Sequence, residues 1–387
     1  MLSKKRILSV SSCSLALFVG ALAASSSSAL ANPFQPPNVG YAYVNDNTTG
    51  ANTLAGFERH ADGSLTALPG SPFSIGGVGS GSGLGSQGAL QLSSDGRYAL
   101  AVDAGSNQIS VLRLGFNGVP QPVGAPVSSG GVDPNSIAVA GNLVYVSNAG
   151  AGGTNVTGFY LAPWGTLYPI PGSTVALPEG SGPGDVLLNS DGQKLVVTLV
   201  NTSQIASFDV RFGGRLVAAP GSPYPAQGLG PFGSEFRPTN PSQLFVTNAH
   251  NGAGLGTVSA FNVGFSGELA PIGASPFADL QTAPCWLTIS QNGQFLFAVN
   301  TGSGFISSYA ISPNGTLTLL GSVSAGPAGT GAVDARLAPD GRTLLVNGSK
   351  ADVVASFAVS ESGSLTELAS SPTPLPVGAD ASGIVVD

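Results

Sequence analysis

Few residues of this chain are equipped for chemistry. Its 387 residues include two histidines, two cysteines and 20 acidic side chains, and only 9% of the chain is charged. His250 is the best candidate for proton transfer. It follows the strand-like run Phe245-Val246-Thr247-Asn248 and precedes a Gly-rich loop, Asn251 to Gly256. A histidine there can act as general acid or base; the bland reading is a solvated loop side chain. His60 lies beside an Asp62-Gly63 turn and reads as solvated. Two histidines exclude a multi-His zinc site. Cys285 opens a strand beside Trp286 with no activating neighbour in sequence, which fits a small buried hydrophobe better than a nucleophile. No Gly-x-Ser-x-Gly elbow, P-loop or His-Glu-x-x-His motif occurs. The Gly/Ser-rich stretch Gly76 to Gly88 leads into a strand, Leu90-Gln91-Leu92, and not into a helix. It therefore reads as a flexible loop and not as a nucleotide fingerprint.

The elements that must position these residues are repeats. An x-Gly turn, usually followed by Leu, recurs seven times, with its glycine at 63, 118, 165, 214, 267, 315 and 363. The spacing of roughly 50 residues, filled with short strands, predicts an all-β seven-bladed propeller with four antiparallel strands per blade. The sixth repeat shows the pattern: Cys285 to Ile289, an Asn292-Gly293 turn, Phe295 to Asn300, then Phe305 to Ile311, Asn314-Gly315, and Leu317 to Leu320. Asn-Gly suits a two-residue hairpin because both positions tolerate positive φ. Connections such as Pro69 to Phe73 and Pro220 to Tyr224 carry Pro-Gly-Ser-Pro-aromatic, as an outer edge strand permits. The run Tyr41 to Asn45 matches a second strand with no first strand before it. The C-terminal run Ala381 to Val386 is expected to supply that strand and close the ring.

The ends and the composition bound the rest. Lys4-Lys5-Arg6, the apolar stretch Ile7 to Ala24 and Ala29-Leu30-Ala31 have the layout of a secretory signal peptide over 1–31. A short linker at 32–40 and a single propeller domain at 41–387 would follow. A secreted or periplasmic location is expected, with no membrane insertion after cleavage. Three of the 13 basic residues lie in the leader, so the mature chain would carry ten against 20 acids, a formal charge of −10. That balance argues against nucleic acid and anionic membranes as partners. One cysteine would remain, so no internal disulfide is possible. A monomer is expected, with a small molecule or an extracellular partner as its binding target.

The tetrads Tyr145-Val146-Ser147-Asn148, Phe245-Val246-Thr247-Asn248 and Phe297-Ala298-Val299-Asn300, with the Asp-Gly turns, resemble the YVTN-like repeats of the lactonase family of seven-bladed propellers. That family includes enzymes of the 6-phosphogluconolactonase and 3-carboxymuconate cyclase type. The resemblance implies a site at one end of the central channel, where inner strands begin and second strands end. In the enzymes a Gly-Pro-Arg-His run and a following Glu supply it. Here the matching run is Gly182-Pro183-Gly184-Asp185, with Gly184 in place of Arg and Asp185 in place of His. Val200 replaces the Glu, and the preceding repeat reads Pro134-Asn135-Ser136. The polar residues falling at this end are Asp103, Asp133, Asp185, Asn248, His250, Cys285, Asn300, Asp334 and Asp380. His250 and Asp185 are the catalytic candidates. Asp103, Asn248, Asn300, Asp334 and Asp380 are the ligand-binding ones. Carboxylates gathered at one mouth would repel unless protonated or bridged by a cation, so no cofactor is required but Ca²⁺ could be held. The bland alternative is that each Asp caps its own loop. The expected function is ligand or partner binding by a propeller lacking the Arg/His/Glu set. The alternative is a lactone hydrolase or cycloisomerase with a rearranged site.

Overall fold

The computed structural model describes residues 36–376 and 380–387; the expected leader at 1–31 lies outside them. Residues 37–387 form seven antiparallel sheets, the blades. The inner strands run Leu90–Leu92, Pro134–Ala140, Pro183–Leu188, Pro231–Arg237, Pro284–Ile289, Ala332–Leu337 and Ile384–Val386. Successive inner strands pack side by side around the ring, and the last returns to the first. Ile384–Val386 pairs with Asn38–Asn45 in the register Tyr43↔Val385, so the C-terminal segment supplies the inner strand of blade one. That strand begins at Asn38, so the residues 38–40, expected in a linker, are part of the sheet.

Each turn glycine has two reasons to be glycine. All seven have positive φ, from 73° to 91°. Each also packs on the preceding blade. A Cβ at Gly118 would lie 2.3 Å from the Tyr41 ring, and one at Gly363 would lie 2.4 Å from the Phe295 ring. Hydroxyls fix the same turns: Tyr43 donates to the Gly118 carbonyl at 2.6 Å, Tyr145 to Gly214 at 2.7 Å and Ser207 to Gly267 at 2.7 Å. The repeat signature therefore records contacts between blades as well as hairpins.

The outer strand is broken in six blades. In blade one Leu65–Ala67 and Phe73–Ser74 both pair with Thr53–His60, and between them lies a cis Ser71-Pro72 bond. At the break the serine hydroxyl takes the place of a backbone acceptor. Gly56 N–H donates to Ser71 Oγ at 3.0 Å, Ser207 N–H to Ser222 Oγ at 2.9 Å and Ser356 N–H to Ser371 Oγ at 3.0 Å. The serine of the Pro-Gly-Ser-Pro signature thus satisfies an N–H that the interrupted edge would leave unpaired. Between blades, apolar side chains such as Phe57, Phe159, Phe245, Phe297 and Phe357 are almost fully buried.

Candidate functional site

The Gly/Ser-rich stretch is a strap laid into the ring, not a flexible spacer. Its glycines mark close backbone approach. A Cβ at Gly77 would sit 2.1 Å from Asp103 Cγ, and one at Gly79 would sit 2.2 Å from the Asn47 carbonyl carbon. Asn47 Nδ2 donates to the Ser82 carbonyl at 2.7 Å, and Gly79 N–H to the Thr48 carbonyl at 2.9 Å. The strap then crosses the channel. Ser86 Oγ donates to the Asn135 carbonyl of blade three at 2.6 Å, and Gln87 N–H to the Gly184 carbonyl of blade four at 2.9 Å. Gln87 Nε2 donates to the Ser234 carbonyl of blade five at 2.9 Å. Its Oε1 accepts from Leu287 N–H of blade six at 2.9 Å. Trp286 Nε1 donates to the Ser86 carbonyl at 2.9 Å, and Gly88 N–H to Asp334 Oδ2 of blade seven at 3.3 Å. Three consecutive residues therefore tie together five blades.

The positions singled out by the family resemblance lie under this strap. A Cβ on Gly184 would be 2.7 Å from Val200 Cγ2 and 3.3 Å from Thr198 Oγ1. Gly184 and Val200 are packed as a pair, and no side chain fits between them. Asp185 is 2% exposed and accepts from Ser136 Oγ at 3.2 Å, Ser234 N–H at 2.9 Å and Ser234 Oγ at 2.7 Å. Burial outweighs these bonds and a nearby Arg336, pushing its pKa up to about 8. It is a carboxyl held by its neighbours, with no free base beside it.

The channel also holds two charged residues that the sequence reading passed over, Glu235 and Arg336. Arg336 Nη1 lies 3.8 Å from Asp334 Oδ1. Burial opposes the guanidinium charge, but Asp334, Glu235 and Asp185 more than offset it and hold the Arg336 pKa above its ordinary value. Glu235 accepts from Ile289 N–H at 2.9 Å, and burial raises its pKa to about 7. Asp334 is also raised by burial, against the pull of Arg336. The available signal was an ionisable side chain inside an inner strand, in a chain with few charges.

The remaining candidates do not join this cluster. His250 is exposed; its ring lies against Gly230, whose added Cβ would stand 2.4 Å from His250 Cγ. Asn248 Nδ2 donates to Thr257 Oγ1 at 2.9 Å and Ser259 Oγ at 2.8 Å, and Asn300 Nδ2 to Ser307 Oγ at 3.0 Å. Both amides bind the end of a second strand to the third strand of their own blade. Asp103 accepts from Ser110 Oγ at 2.6 Å and Asn52 Nδ2 at 2.9 Å, at the seam of blades one and two. Asp133 sits at positive φ in a loop, its N–H donating to Asn107 Oδ1 at 2.7 Å. Asp380 is half-buried, its N–H donating to the Asp46 carbonyl at 3.1 Å. Cys285 is buried, and burial pushes its thiol up to about 11. Among the described residues no three His, Cys, Asp or Glu side chains are placed to hold a metal ion. A cavity of about 240 Å³ does open beside the strap, lined by Leu84, Ser86, Trp286, Val333, Asp334 and Lys350 among others.

Seven blades, a ring closed by the chain's two ends and a polar channel define a seven-bladed β-propeller. Residues 243–372 match the family model "Lactonase, 7-bladed beta-propeller", in agreement with the resemblance carried by the repeats. The fold is shared with a candidate 6-phosphogluconolactonase from Bacteroides fragilis. The two are 19% identical, with a TM-score of 0.72, over 90% of this chain and 97% of that one. It is also shared with a periplasmic gluconolactonase from Pseudomonas aeruginosa, 18% identical, TM-score 0.70, covering 90% and 98%. A virginiamycin B lyase from Staphylococcus aureus is more distant, 14% identical with a TM-score of 0.53, covering 78% and 88%. No curated protein matches the chain. Among the described residues no helix is long and apolar enough to cross a membrane.

Proposed function

We propose that this chain is an exported lactonase-like propeller that binds a small ligand or partner at its strapped channel mouth and does not hydrolyse lactones. The carrying observation is the strap. Gln87 hydrogen-bonds the Gly184 carbonyl, at the place where the resemblance puts a catalytic arginine. The packed Gly184–Val200 pair leaves no room for a cation or a carboxylate there. Asp185 is covered and already hydrogen-bonded, while His250 stands apart in solvent. Acid–base catalysis needs a base within hydrogen-bond reach of a reacting group in one pocket, and these two residues do not share one. The cavity beside the strap offers a small ligand the apolar faces of Leu84 and Val333 with Lys350 at its margin.

The test is hydrolysis of a panel of sugar and aliphatic lactones, with and without Ca²⁺, by the wild type and by His250→Ala. Rates equal to the uncatalysed ones under every condition are expected. Turnover that disappears in His250→Ala would establish the lactone hydrolase reading instead.

Export rests on the basic, apolar and small-residue layout of 1–31. One structural neighbour is a periplasmic gluconolactonase. Mass spectrometry of protein recovered outside the cytoplasm should find a chain beginning at Asn32. Recovery only of a cytoplasmic chain retaining residues 1–31 would refute export.

A further inference from the structure

The hairpin turns between third and outer strands all lie at the ends of the blades opposite the strapped mouth. Blades two to five each place one large aromatic residue in that turn: Phe116, Trp164, Phe212 and Phe265. Their exposures are 109%, 63%, 104% and 91%, and the three phenylalanines are the most exposed large hydrophobic residues among the described ones. Blades six, seven and one carry Pro313-Asn314, Glu361-Ser362 and Ala61-Asp62 at the same place. The aromatic residues therefore occupy one continuous arc of the ring.

Their backbones are held while their rings are not. Tyr41 Oη donates to the Phe116 carbonyl at 3.1 Å, and Tyr98 Oη to the Pro163 carbonyl, next to Trp164, at 3.1 Å. Tyr145 and Ser207 hold the turns of Phe212 and Phe265 through Gly214 and Gly267. Only Phe265 has a cation against its ring, Lys194 Nζ at 5.5 Å from the centroid.

Charge follows the same arc. Of the ten basic residues after residue 31, eight stand at this end: Arg97 and Arg113 on blade two, Lys194, Arg211 and Arg215 on blade four, Arg237 on blade five, and Arg59 and Arg342 on blades one and seven. Arg97 and Arg211 pair with Asp95 and Asp209, while Arg113 and Arg215 are exposed. Asp62, Asp340 and Glu361 are exposed at the same end of blades one and seven. The acidic total predicted repulsion from anionic surfaces; at this end the aromatic arc carries six basic residues against Asp95, Asp191, Asp209 and Glu268, while blades one and seven set Arg59 and Arg342 against Asp62, Asp340 and Glu361.

We infer that this arc of turns docks the propeller, tilted, on an anionic lipid surface, with the four aromatic tips entering the interface. The tips are separated by polar turn residues such as Asn117, Thr166 and Ser266, so they make no continuous apolar patch for a globular partner. A fluid interface accepts separate tips, and Trp and Phe favour that depth. Nearby Arg residues add attraction to anionic headgroups.

Co-flotation of the mature chain with phosphatidylglycerol/phosphatidylcholine vesicles tests this, beside phosphatidylcholine vesicles alone and at high salt. The wild type should bind the anionic vesicles and lose binding with salt. Each single change to Ser should weaken partitioning by about fivefold, and F116S/W164S/F212S/F265S together should abolish it. The melting temperature of the quadruple variant should match wild type, because the rings pack on little. No vesicle binding, or equal binding by the folded quadruple variant, would overturn the inference. So would tip-dependent retention on an insoluble polysaccharide, or tip-dependent dimerisation, without vesicle binding.

Discussion

Trp286→Ala should lower the unfolding free energy by about 3–5 kcal/mol, the usual cost of emptying a large aromatic site in a core. Trp286 is 6% exposed, and its ring meets Phe232 edge-on with centroids 5.2 Å apart. Its Nε1 is the donor that holds the Ser86 carbonyl of the strap at 2.9 Å. Alanine removes the packing and also leaves a buried carbonyl without its partner, and the second loss adds to the first. The strap should loosen before the ring opens, because across the channel it would then be held only by the Ser86 hydroxyl on Asn135 and by Gln87 and Gly88. Urea unfolding followed by far-UV circular dichroism gives the stability change. Hydrogen exchange at Gln87 and Gly88 gives the strap. A loss below 1 kcal/mol with unchanged exchange at those amides would show that the strap is not held from Trp286.

Stability should fall steeply as pH rises from 5 to 8. Several carboxyls are pushed up by burial before any other cause: Asp185 to about 8, Asp46 and Glu235 to about 7, Asp103 and Asp279 to about 6. Their unfolded values lie near 4. A folded pKa above the unfolded one means that the folded state binds more protons in between. The contribution is therefore complete below pH 4 and is lost as pH climbs through each folded value, with Asp185 last. Asp185 alone spans enough pH for a change on the order of 5 kcal/mol. Exposed Asp62 and Asp95, whose pKa values are lowered, act in the opposite sense only at lower pH, and solvent screens them. Urea midpoints at pH 5, 6.5 and 8 should decrease in that order. Asp185→Asn, which keeps hydrogen-bonding capacity without an ionisable proton, should flatten the step between pH 7 and 8. A midpoint that is constant or rises to pH 8 would contradict the assignment.

These two expectations rest on contacts of different legibility. The seven turn glycines could be read directly, because positive φ in a hairpin is a local demand and glycine meets it at every repeat. Ring closure followed from a first segment lacking its inner partner, and the pairing of Tyr43 with Val385 supplies it. The serine before each outer proline was visible as a motif, yet its role needed the third strand beside it. The tetrad asparagines stood out equally clearly, but as site candidates. Folded, Asn248 and Asn300 spend their amides on the neighbouring strand.

What the chain determined by itself was the number of blades and the closure, since each depends on residues within one repeat or on one repeated position. Only the tertiary structure decided what fills the channel. A run of glycines has the same composition whether it is loose or pressed against Asp103 and Asn47, and only distances distinguish the two. Gln87 reaches Ser234 and Leu287 across 147 and 200 residues of sequence. Arg336 likewise meets carboxylates from blades four, five and seven. Such meetings are set by the radius of the ring, which brings seven inner strands to one axis whatever their separation along the chain.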